Sequence, residues 1–256
     1  MRVFCVLFWL SVAGMALLPT AACAAEVKDM EISRRTGPLE INVHFPALGV
    51  TGVDADLAQW AENTVQGFEQ DYGQEQGETA EAPAYSLHIT YEISRPSDKA
   101  ASVVFKVESY TGGAHGALDI IVRSYDLQTG LPLLPPYLFE DVETALNLMS
   151  TYSYDALSQK LGPNRAEDML RSGTTPDADN FAALALQPGG VRIYFQPYQV
   201  GPWVIGPQTV DMPLDALLEA HPQLEWWGRV EAGMPRAGAP FETAPGDDTI
   251  VRGEHP

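Results

Sequence analysis

The chain has 256 residues and a formal net charge of −19, from 34 acidic against 15 basic side chains. A surface this acidic repels the phosphate backbone of nucleic acids and speeds encounter with cationic partners, so we expect no nucleic-acid partner. Negative surfaces are also common solubility devices, and charge alone therefore identifies no ligand.

The first 25 residues have the three parts of a secretory signal. Arg2 supplies the positive start, and an apolar run of sixteen residues follows from Val3 to Leu18. The run is shorter than the ~20 residues that span a bilayer, and a stretch of small residues follows it. We therefore predict that residues 1–25 are a secretory signal and that the mature protein is exported, to the periplasm or the cell-envelope surface.

Cys23 leaves two processing routes open. Ala21 and Ala22 fit lipoprotein processing, which would lipidate Cys23 and tether the protein to a membrane surface. Thr20 stands where such signals usually carry Leu, and ordinary cleavage after the alanines that follow Cys23 is the simpler alternative. Both cysteines precede residue 26, so we expect the mature domain to contain neither a disulfide nor a thiolate nucleophile.

The first elements predicted after the signal are a strand and a long amphipathic helix. Apolar residues alternate with polar ones, as in a half-buried strand, at Leu39, Ile41, Val43 and Phe45. Over residues 54–72 the apolar spacing becomes helical, with Asp54 placed as the N-terminal cap. A polar, acidic connection covers residues 73–83.

Three strands are predicted in close succession after this connection. The first covers residues 84–93, the second is marked by Val103, Phe105 and Val107, and the third by Leu118, Ile120 and Val122. Their links are short, which favours an antiparallel meander over parallel crossovers.

The second half of the chain starts with helices. Asp141 begins a predicted helix that extends to about residue 162, and a shorter helical segment at 165–171 ends at Gly173, the expected C′ glycine. A predicted hairpin joins residues 181–187 to 191–199 through a Pro-Gly-Gly turn. A strand near 209–212 and a short helix near 214–220 complete the elements.

Helices placed between antiparallel runs, without strict alternation, predict a single α+β domain. We expect an antiparallel sheet meander packed against two main helices. Residues 228–256 are rich in Gly, Ala, Pro and acidic side chains without periodic apolar positions, and we predict that they form a disordered acidic tail.

Catalytic chemistry has no sequence signature in this chain. The spacing of its histidines fits no zinc-binding helix, and neither a G-x-S-x-G elbow nor a phosphate-binding loop is present; the histidines are His44, His88, His115, His221 and His255. We therefore predict a protein that is not an enzyme and has no cofactor and no metal site. Carboxylates are so numerous that a catalytic pair among them carries no signal.

The segment 110–116, YTGGAHG, lies between two predicted strands and is a candidate binding loop. Gly112 and Gly113 permit positive φ angles and close backbone approach, and Tyr110 precedes them. His115 could act on a ligand, or it could hydrogen-bond a carbonyl and stabilise a tight turn. Both roles of His115 stay open from the sequence.

A second candidate binding loop runs over residues 194–206. Pro197 and Pro202 stiffen this segment, and Tyr198 and Trp203 are large amphipathic rings. Rigid aromatic side chains on a braced loop lose little entropy on binding, as an interface anchor requires. The alternative is that both rings pack inward and the prolines only shape the end of a strand.

Four segments together resemble the RsiV-like family in order and spacing. They are YTGGAHG at 110–116, SYDLQTG at 124–130, LFED at 138–141 before a helix, and F-x-P-Y-x-V-x-P-x-x-x-G at 195–206. The resemblance covers about residues 30–220. That domain forms the extracellular part of RsiV-type anti-sigma factors and precedes the catalytic domain of some peptidoglycan deacetylases.

The resemblance implies an α+β fold and a binding role at the cell surface. In RsiV-type receptors the domain recognises lysozyme, a basic enzyme that attacks peptidoglycan, so Tyr198 and Trp203 would enter or cover a lysozyme cleft. The chain shows neither a sigma-binding segment nor deacetylase metal motifs, and we expect only the binding module to carry over.

The expected partner is therefore a basic protein such as lysozyme, or a cell-wall component. A membrane is expected as a partner only through lipidated Cys23. The alternative from a different class is a glycan or small-molecule binding domain, or an envelope hydrolase, that uses the loop from Gly112 to Gly116 and His115.

Overall fold

The computed structural model describes residues 27–37, 39–73, 85–228 and 242–243. The predicted signal at 1–25, with Cys23, lies outside these residues, and so does almost all of the predicted connection at 73–83. The predicted tail also lies outside them, apart from Gly228 and a two-residue strand. Among the described residues, no helix is both long and apolar enough to cross a membrane.

The first layer is a sheet with the strand order β1-β2-β3-β4-β5. The strands are β1 (Lys28–Thr36), β2 (Leu39–Ala47), β3 (Tyr85–Ser94), β4 (Ala100–Tyr110) and β5 (Ala117–Asp126). All but β1 correspond to predicted strands. β1 is mostly exposed on both faces, so its sequence lacks the apolar alternation that marks a half-buried strand.

The predicted meander is confirmed for β3, β4 and β5, which pair in antiparallel fashion. β2 and β3 instead pair in parallel, with Leu39 opposite Tyr85, so the expectation of an antiparallel sheet is wrong at this pair. The cause is helix α1 (Thr51–Tyr72), which lies between the two strands in sequence. A crossover helix returns the chain to the edge where the preceding strand began, and the next strand then runs parallel to it.

The second layer is a separate antiparallel sheet with helices packed against it. Its strands are β6 (Leu184–Gln187), β7 (Gly190–Phe195) and β8 (Gln208–Pro213). Its helices are α2 (Pro135–Leu138), α3 (Val142–Leu161) and α4 (Glu167–Gly173), and short 3₁₀ turns cover 178–181, 203–205, 214–220 and 224–227. The last strand, β9 (Glu242–Thr243), pairs with β3 of the first sheet.

Two of the predicted helix termini differ from expectation. Asp141 caps α3 as predicted, since its carboxylate accepts a hydrogen bond from the Thr144 amide at 2.9 Å. The prediction that Asp54 caps α1 is wrong, because the helix begins at Thr51. Asp54 instead accepts hydrogen bonds from the amides of Leu48 and Gly49, which ties the preceding turn to the helix. Gly173 is the last residue of α4 and not the residue after its end.

Each main helix buries its apolar stripe against its own sheet. On α1 the buried side chains are Val53, Leu57, Ala61, Val65 and Phe68, which join a core with β2, β3 and β4. On α3 they include Ala145, Met149 and Leu157, which join a core with β7 and β8. The α+β class with two main helices is confirmed, while its division into two sheets was not predicted.

The two layers meet where β4 and β5 contact β6. Ser102 on β4 is fully buried, and its hydroxyl oxygen lies 2.7 Å from the hydroxyl oxygen of Ser124 on β5. The Leu186 amide of β6 donates a hydrogen bond of 2.9 Å to the same Ser102 oxygen. This hydroxyl therefore satisfies a buried backbone group of the other layer.

Replacing Ser102 by Ala should destabilise the protein by about 1–3 kcal/mol, because the Leu186 N–H would be left buried without a partner. The measurement is the free energy of unfolding in urea. Ser109→Ala, on a half-buried position of the same strand, is the matched control and should change it by less than about 0.5 kcal/mol. A Ser102→Ala variant as stable as this control would refute the role of the hydroxyl.

Candidate functional site

The two loops singled out in the sequence meet in the structure. The His115 ring stacks on the Trp203 ring, with centroids 4.7 Å apart and planes inclined by 20°. Tyr198 adds a third ring, whose centroid lies 5.7 Å from that of Trp203 at an inclination of 36°. We call His115, Tyr198 and Trp203 the aromatic patch.

The aromatic patch lies at the protein surface. The Tyr198 side chain is 54% exposed, His115 is exposed and Trp203 is half-buried. Val204, next to the patch in sequence, is 86% exposed. The alternative in which both rings pack inward is therefore wrong for Tyr198. The Trp203 ring is partly buried against the protein and partly exposed to solvent.

His115 lies on the loop of residues 111–116 that joins β4 to β5. Gly112 and Gly113 have φ angles of +87° and +105°, where a side chain would be strained. The Tyr110 hydroxyl donates to the Gly113 carbonyl at 3.1 Å, and His115 Nδ1 lies 2.8 Å from the Gly116 carbonyl oxygen. A carbonyl only accepts, so Nδ1 carries the proton in this contact. His115 thus makes the turn-stabilising hydrogen bond and still presents its ring to Trp203.

The loop that carries Tyr198 and Trp203 is held to the first sheet by Gln196. Its side-chain carbonyl accepts a hydrogen bond of 2.8 Å from the Ile120 amide, and its Nε2 donates one of 2.6 Å to the Ile120 carbonyl. Ile120 belongs to β5, the last strand on the main path of its sheet. The side-chain amide of Gln196 therefore binds both backbone groups of Ile120, the N–H and the C=O, that a further strand would otherwise bind.

The same loop is held to the second layer by Gln199. Its Nε2 donates to the carbonyl oxygens of Gly173 and Asn180, each at 3.0 Å, and its side-chain carbonyl accepts from the Gln196 amide at 2.8 Å. A side chain at position 173 would place its Cβ atom 2.1 Å from the backbone carbonyl oxygen of Gln199, so only glycine permits this close approach. Together the two glutamines hold the loop between the layers.

Tyr198 has an unusual backbone conformation, with a φ angle of +69°. A non-glycine residue in this left-handed region is uncommon and strained. Its neighbours Pro197 and Gln199 are half-buried, and the Gln199 amide donates to the Gln196 carbonyl at 3.0 Å. The loop therefore holds the Tyr198 ring outward at a cost in backbone energy.

Exposed carboxylates lie next to the anchors of the loop in sequence. Asp119 precedes Ile120 on β5, Asp177 precedes the 3₁₀ turn at 178–181, and Asp179 lies within that turn beside Asn180. Within the described part of the chain, no group of three His, Cys, Asp or Glu side chains is arranged to hold a metal ion. The residues that anchor the loop therefore have acidic sequence neighbours, and such charge suits a positively charged partner.

The structure brings His115, Tyr198 and Trp203 together and assigns supporting roles to the other predicted site residues. Tyr110, Gly112 and Gly113 shape the turn, while half-buried Pro197 and exposed Pro202 flank the rings. Sequence reasoning missed Gln196 and Gln199. The sequence feature that could have indicated them is the presence of two glutamines in a loop that contains two prolines, since each side-chain amide can donate and accept a hydrogen bond.

Comparison with known proteins finds a family match within the second half of the chain. Residues 137–215 match the sequence profile of a family described as a protein of unknown function, DUF3298. This stretch contains α3, β6, β7 and β8 together with Tyr198 and Trp203, and it excludes the turn with His115. The chain therefore carries a DUF3298 domain match over part of its length.

Two solved structures with the DUF3298 description share the fold. One, from Pseudomonas aeruginosa PAO1, covers 80% of this chain and 97% of its own, at 14% identity and a TM-score of 0.61. The other, from Bacteroides fragilis NCTC 9343, covers 76% of this chain and 92% of its own, at 17% identity and a TM-score of 0.53. Such low identities show a common fold and nothing finer.

One curated protein is similar in sequence. It is the peptidoglycan-N-acetylmuramic acid deacetylase PdaC of Bacillus subtilis strain 168, 25% identical over 168 residues. The match covers 66% of this chain and 36% of the deacetylase, so the chain spans about a third of that protein's length. The RsiV-like identification, which is finer than these matches, stays a prediction.

Glycine at position 198 should relieve the backbone strain that any other residue would keep. We expect Tyr198→Gly to be more stable than Tyr198→Ala by about 1 kcal/mol, because both remove the ring but only glycine adopts a positive φ without strain. The difference in their free energies of unfolding measures this strain. Equal stability of the two variants would show that the loop relaxes to another conformation.

Removing the side-chain amide of Gln196 should expose the backbone N–H and C=O of Ile120 on β5 to solvent. In Gln196→Ala we expect the Ile120 amide proton to exchange with solvent about tenfold faster, the equivalent of one net hydrogen bond. Gln196→Glu should have a smaller effect, since its carboxylate still accepts from this amide. Hydrogen exchange followed by NMR gives the rates, with the exposed Gln128→Ala as control. Unchanged exchange in Gln196→Ala would contradict the anchoring role.

Proposed function

We propose that this protein is an exported binding module of the cell envelope whose aromatic patch docks onto a basic cell-wall enzyme such as lysozyme. The observation that carries the proposal is the exposed stack of His115, Trp203 and Tyr198, on a loop held between the two layers. Aromatic side chains at the centre of an interface supply most of the binding energy in many complexes.

The geometry of the loop favours binding because the loop is already ordered and loses little conformational entropy when a partner binds. The Gln196 and Gln199 hydrogen bonds fix the loop before a partner arrives, and Tyr198 already points outward. Pre-organisation of this kind lowers the entropic cost of association. The exposed Val204 extends the apolar surface beside the rings.

The charge of the protein favours a basic partner. Beyond the predicted signal, 34 acidic side chains stand against 14 basic ones, a formal balance of −20. Asp119, Asp177 and Asp179 place part of this charge near the anchors of the patch. Long-range attraction would accelerate encounter with a cationic enzyme and would weaken as salt screens it.

The similarity to PdaC supports a place in the cell envelope. The name of that enzyme states an action on peptidoglycan, the polymer of the bacterial cell wall. A predicted signal at residues 1–25 agrees with export, either as a free protein or through a lipidated Cys23. On our proposal the domain itself binds without cofactor and without catalysis, and the chemistry belongs to its partner.

A glycan of the cell wall is the second candidate ligand. The observation that favours it is the aromatic patch at the protein surface, in which an imidazole adjoins two aromatic rings. Such a platform can receive a sugar ring through apolar contact and one polar group. A hydrolase would further require an acid–base partner for His115, whose Nδ1 contacts the Gly116 carbonyl.

Truncating the rings should weaken binding to a c-type lysozyme. We expect Trp203→Ala and Tyr198→Ala each to raise Kd by roughly thirtyfold, the equivalent of about 2 kcal/mol lost at a central aromatic contact. Leu218→Ala removes an exposed apolar side chain from the 3₁₀ turn at 214–220 and should leave Kd unchanged. Calorimetric titration at low and moderate salt is the measurement. Absence of heat at both salt concentrations would eliminate lysozyme as the partner.

Replacing His115 by Ala separates a ligand-binding role from a structural one. If a peptidoglycan fragment binds at the ring platform, His115→Ala should lower its affinity while the melting temperature stays constant. A fall in melting temperature without loss of affinity would assign His115 to the turn alone. Thermal denaturation and titration with a soluble muropeptide, performed on the same variant, give both quantities.

A further inference from the structure

An apolar cavity of about 520 Å³ lies between β5, α3 and the segment 132–139. Apolar side chains form most of its wall; they include Val122, Leu133, Phe139, Ala145, Met149 and Phe181. Leu134 is also part of the wall and is 55% exposed, which places the cavity next to the protein surface. The volume falls within the range of about 300–1,000 Å³ that is typical of small-molecule sites.

The cavity reaches the backbone of β5. Four consecutive residues of this strand, 122–125, line it, although side chains alternate between the two faces of a sheet. The Arg123 and Tyr125 side chains are on the face towards α1, where both hydrogen-bond Asp56. A space bordered by residues of both faces lies along the edge of the strand, the direction in which backbone N–H and C=O groups are aimed.

Val122 directs its N–H and C=O to this edge. The Ile120 N–H donates to Gln196 and not to β4, so Ile120 belongs to a non-hydrogen-bonded pair of the antiparallel ladder between β4 and β5. Such pairs recur at every second residue, and Val122 is the next one along an unbroken register. Ser124 follows the same alternation, because its carbonyl accepts from the Leu133 amide outside the sheet.

Within the described part of the chain, neither the N–H nor the C=O of Val122 has a hydrogen-bond partner. On one side of it the Gln196 amide binds Ile120, and on the other the segment 131–133 pairs with the strand. Between these two contacts the edge of β5 is open at a single residue, which is too short for a further strand. A ligand that offers both an acceptor and a donor would satisfy the two groups.

The protein contains a chemical group of this kind at the neighbouring position. At Ile120 the primary amide of Gln196 accepts from the N–H at 2.8 Å and donates to the C=O at 2.6 Å. Val122 presents the same two groups in the same direction, two residues further along. Arg123 is turned to the other face and paired with Asp56, so it offers the cavity no counter-charge. The apolar wall therefore favours an uncharged ligand, since an ion would lose its hydration there.

We propose that this cavity binds an uncharged small molecule with an apolar body and a primary amide or lactam group, which hydrogen-bonds Val122 as the Gln196 amide hydrogen-bonds Ile120. The apolar body would lie against Phe139 and Met149, which are 2% and 3% exposed and are held by the core of the second layer. The residues that line the cavity include none of the aromatic patch, so the site is independent of the docking function proposed above.

Titration of the mature protein with cyclohexanecarboxamide, followed by NMR, tests the site. We expect saturable binding that shifts the amide proton of Val122 downfield as it gains an acceptor. Cyclohexyl methyl ketone has nearly the same shape but cannot donate to the Val122 carbonyl, and it should bind about tenfold more weakly, the equivalent of one net hydrogen bond. Cyclohexanecarboxylate should also bind more weakly than the amide, because it carries a charge into an apolar space.

Val122→Pro removes the N–H without breaking a bond to β4, since proline is tolerated where a strand directs its N–H to a free edge. We expect it to weaken binding of the carboxamide about tenfold relative to Val122→Ala, the matched control that keeps the N–H. Val142→Trp obstructs the cavity from a half-buried wall position and should abolish saturable binding. Thr151→Phe adds a ring at an exposed position of α3 and should leave the affinity unchanged.

Absence of saturable binding, or binding that Val142→Trp leaves intact, would overturn the cavity as the site. Equal affinities of the native protein for the amide and the ketone would overturn the role of the Val122 carbonyl. Equal affinities of Val122→Pro and Val122→Ala would overturn the role of the N–H. If Val122→Pro fails to fold, the comparison of amide with ketone on the native protein decides whether an amide is recognised.

Discussion

The candidate site depends on one contact, in which the side-chain amide of Gln196 hydrogen-bonds both the N–H and the C=O of Ile120. A strand at the border of a sheet offers unpaired N–H and C=O groups, and a side-chain amide can satisfy one of each. That contact lays the loop beside the turn between β4 and β5. The stack of His115 on Trp203 joins the two segments at their tips, and the apolar cluster of Ile120 with Tyr194 packs the strands that carry them.

Gln199 completes the arrangement from the other layer. Its side chain accepts a hydrogen bond from the Gln196 backbone N–H and donates to the backbone carbonyls of Gly173 and Asn180. One short loop is therefore hydrogen-bonded to both layers of the domain. The strain at Tyr198 is consistent with this, since a left-handed non-glycine residue persists only where its surroundings determine it. A rigid, exposed ring on an acidic protein combines a contact surface with long-range attraction.

The two layers have separate cores, and they meet along β4 and β5. Ser102 joins the layers where β4 contacts β6. Further along β5, the apolar side chains of α3 and of the segment 132–139 border an apolar cavity of about 520 Å³. On the other face of β5, Asp56 and Tyr125 hold Arg123 against the first core.

Local patterns in the sequence determined most of the helices and strands and the residues of both binding loops. Periodicity marked β2, β3, β8, α1 and α3, because each buries mainly one face and its apolar spacing records that burial. Apolar residues between short links and turns marked β4 to β7. β1 buries almost nothing and left no such record. Asp54 was misplaced because a carboxylate near a helix start can bind the preceding turn as well as the first amides.

Only the tertiary structure decided the parallel pairing of β2 with β3, the division into two sheets and the stacking of His115 on Trp203. These features join residues that are far apart in sequence, such as Ile120 with Gln196 and Asp56 with Arg123. A single sequence records which residue types could pair in this way. Which of them do pair depends on the packing of α1 and α3 on their sheets, since that packing sets the distances between the segments.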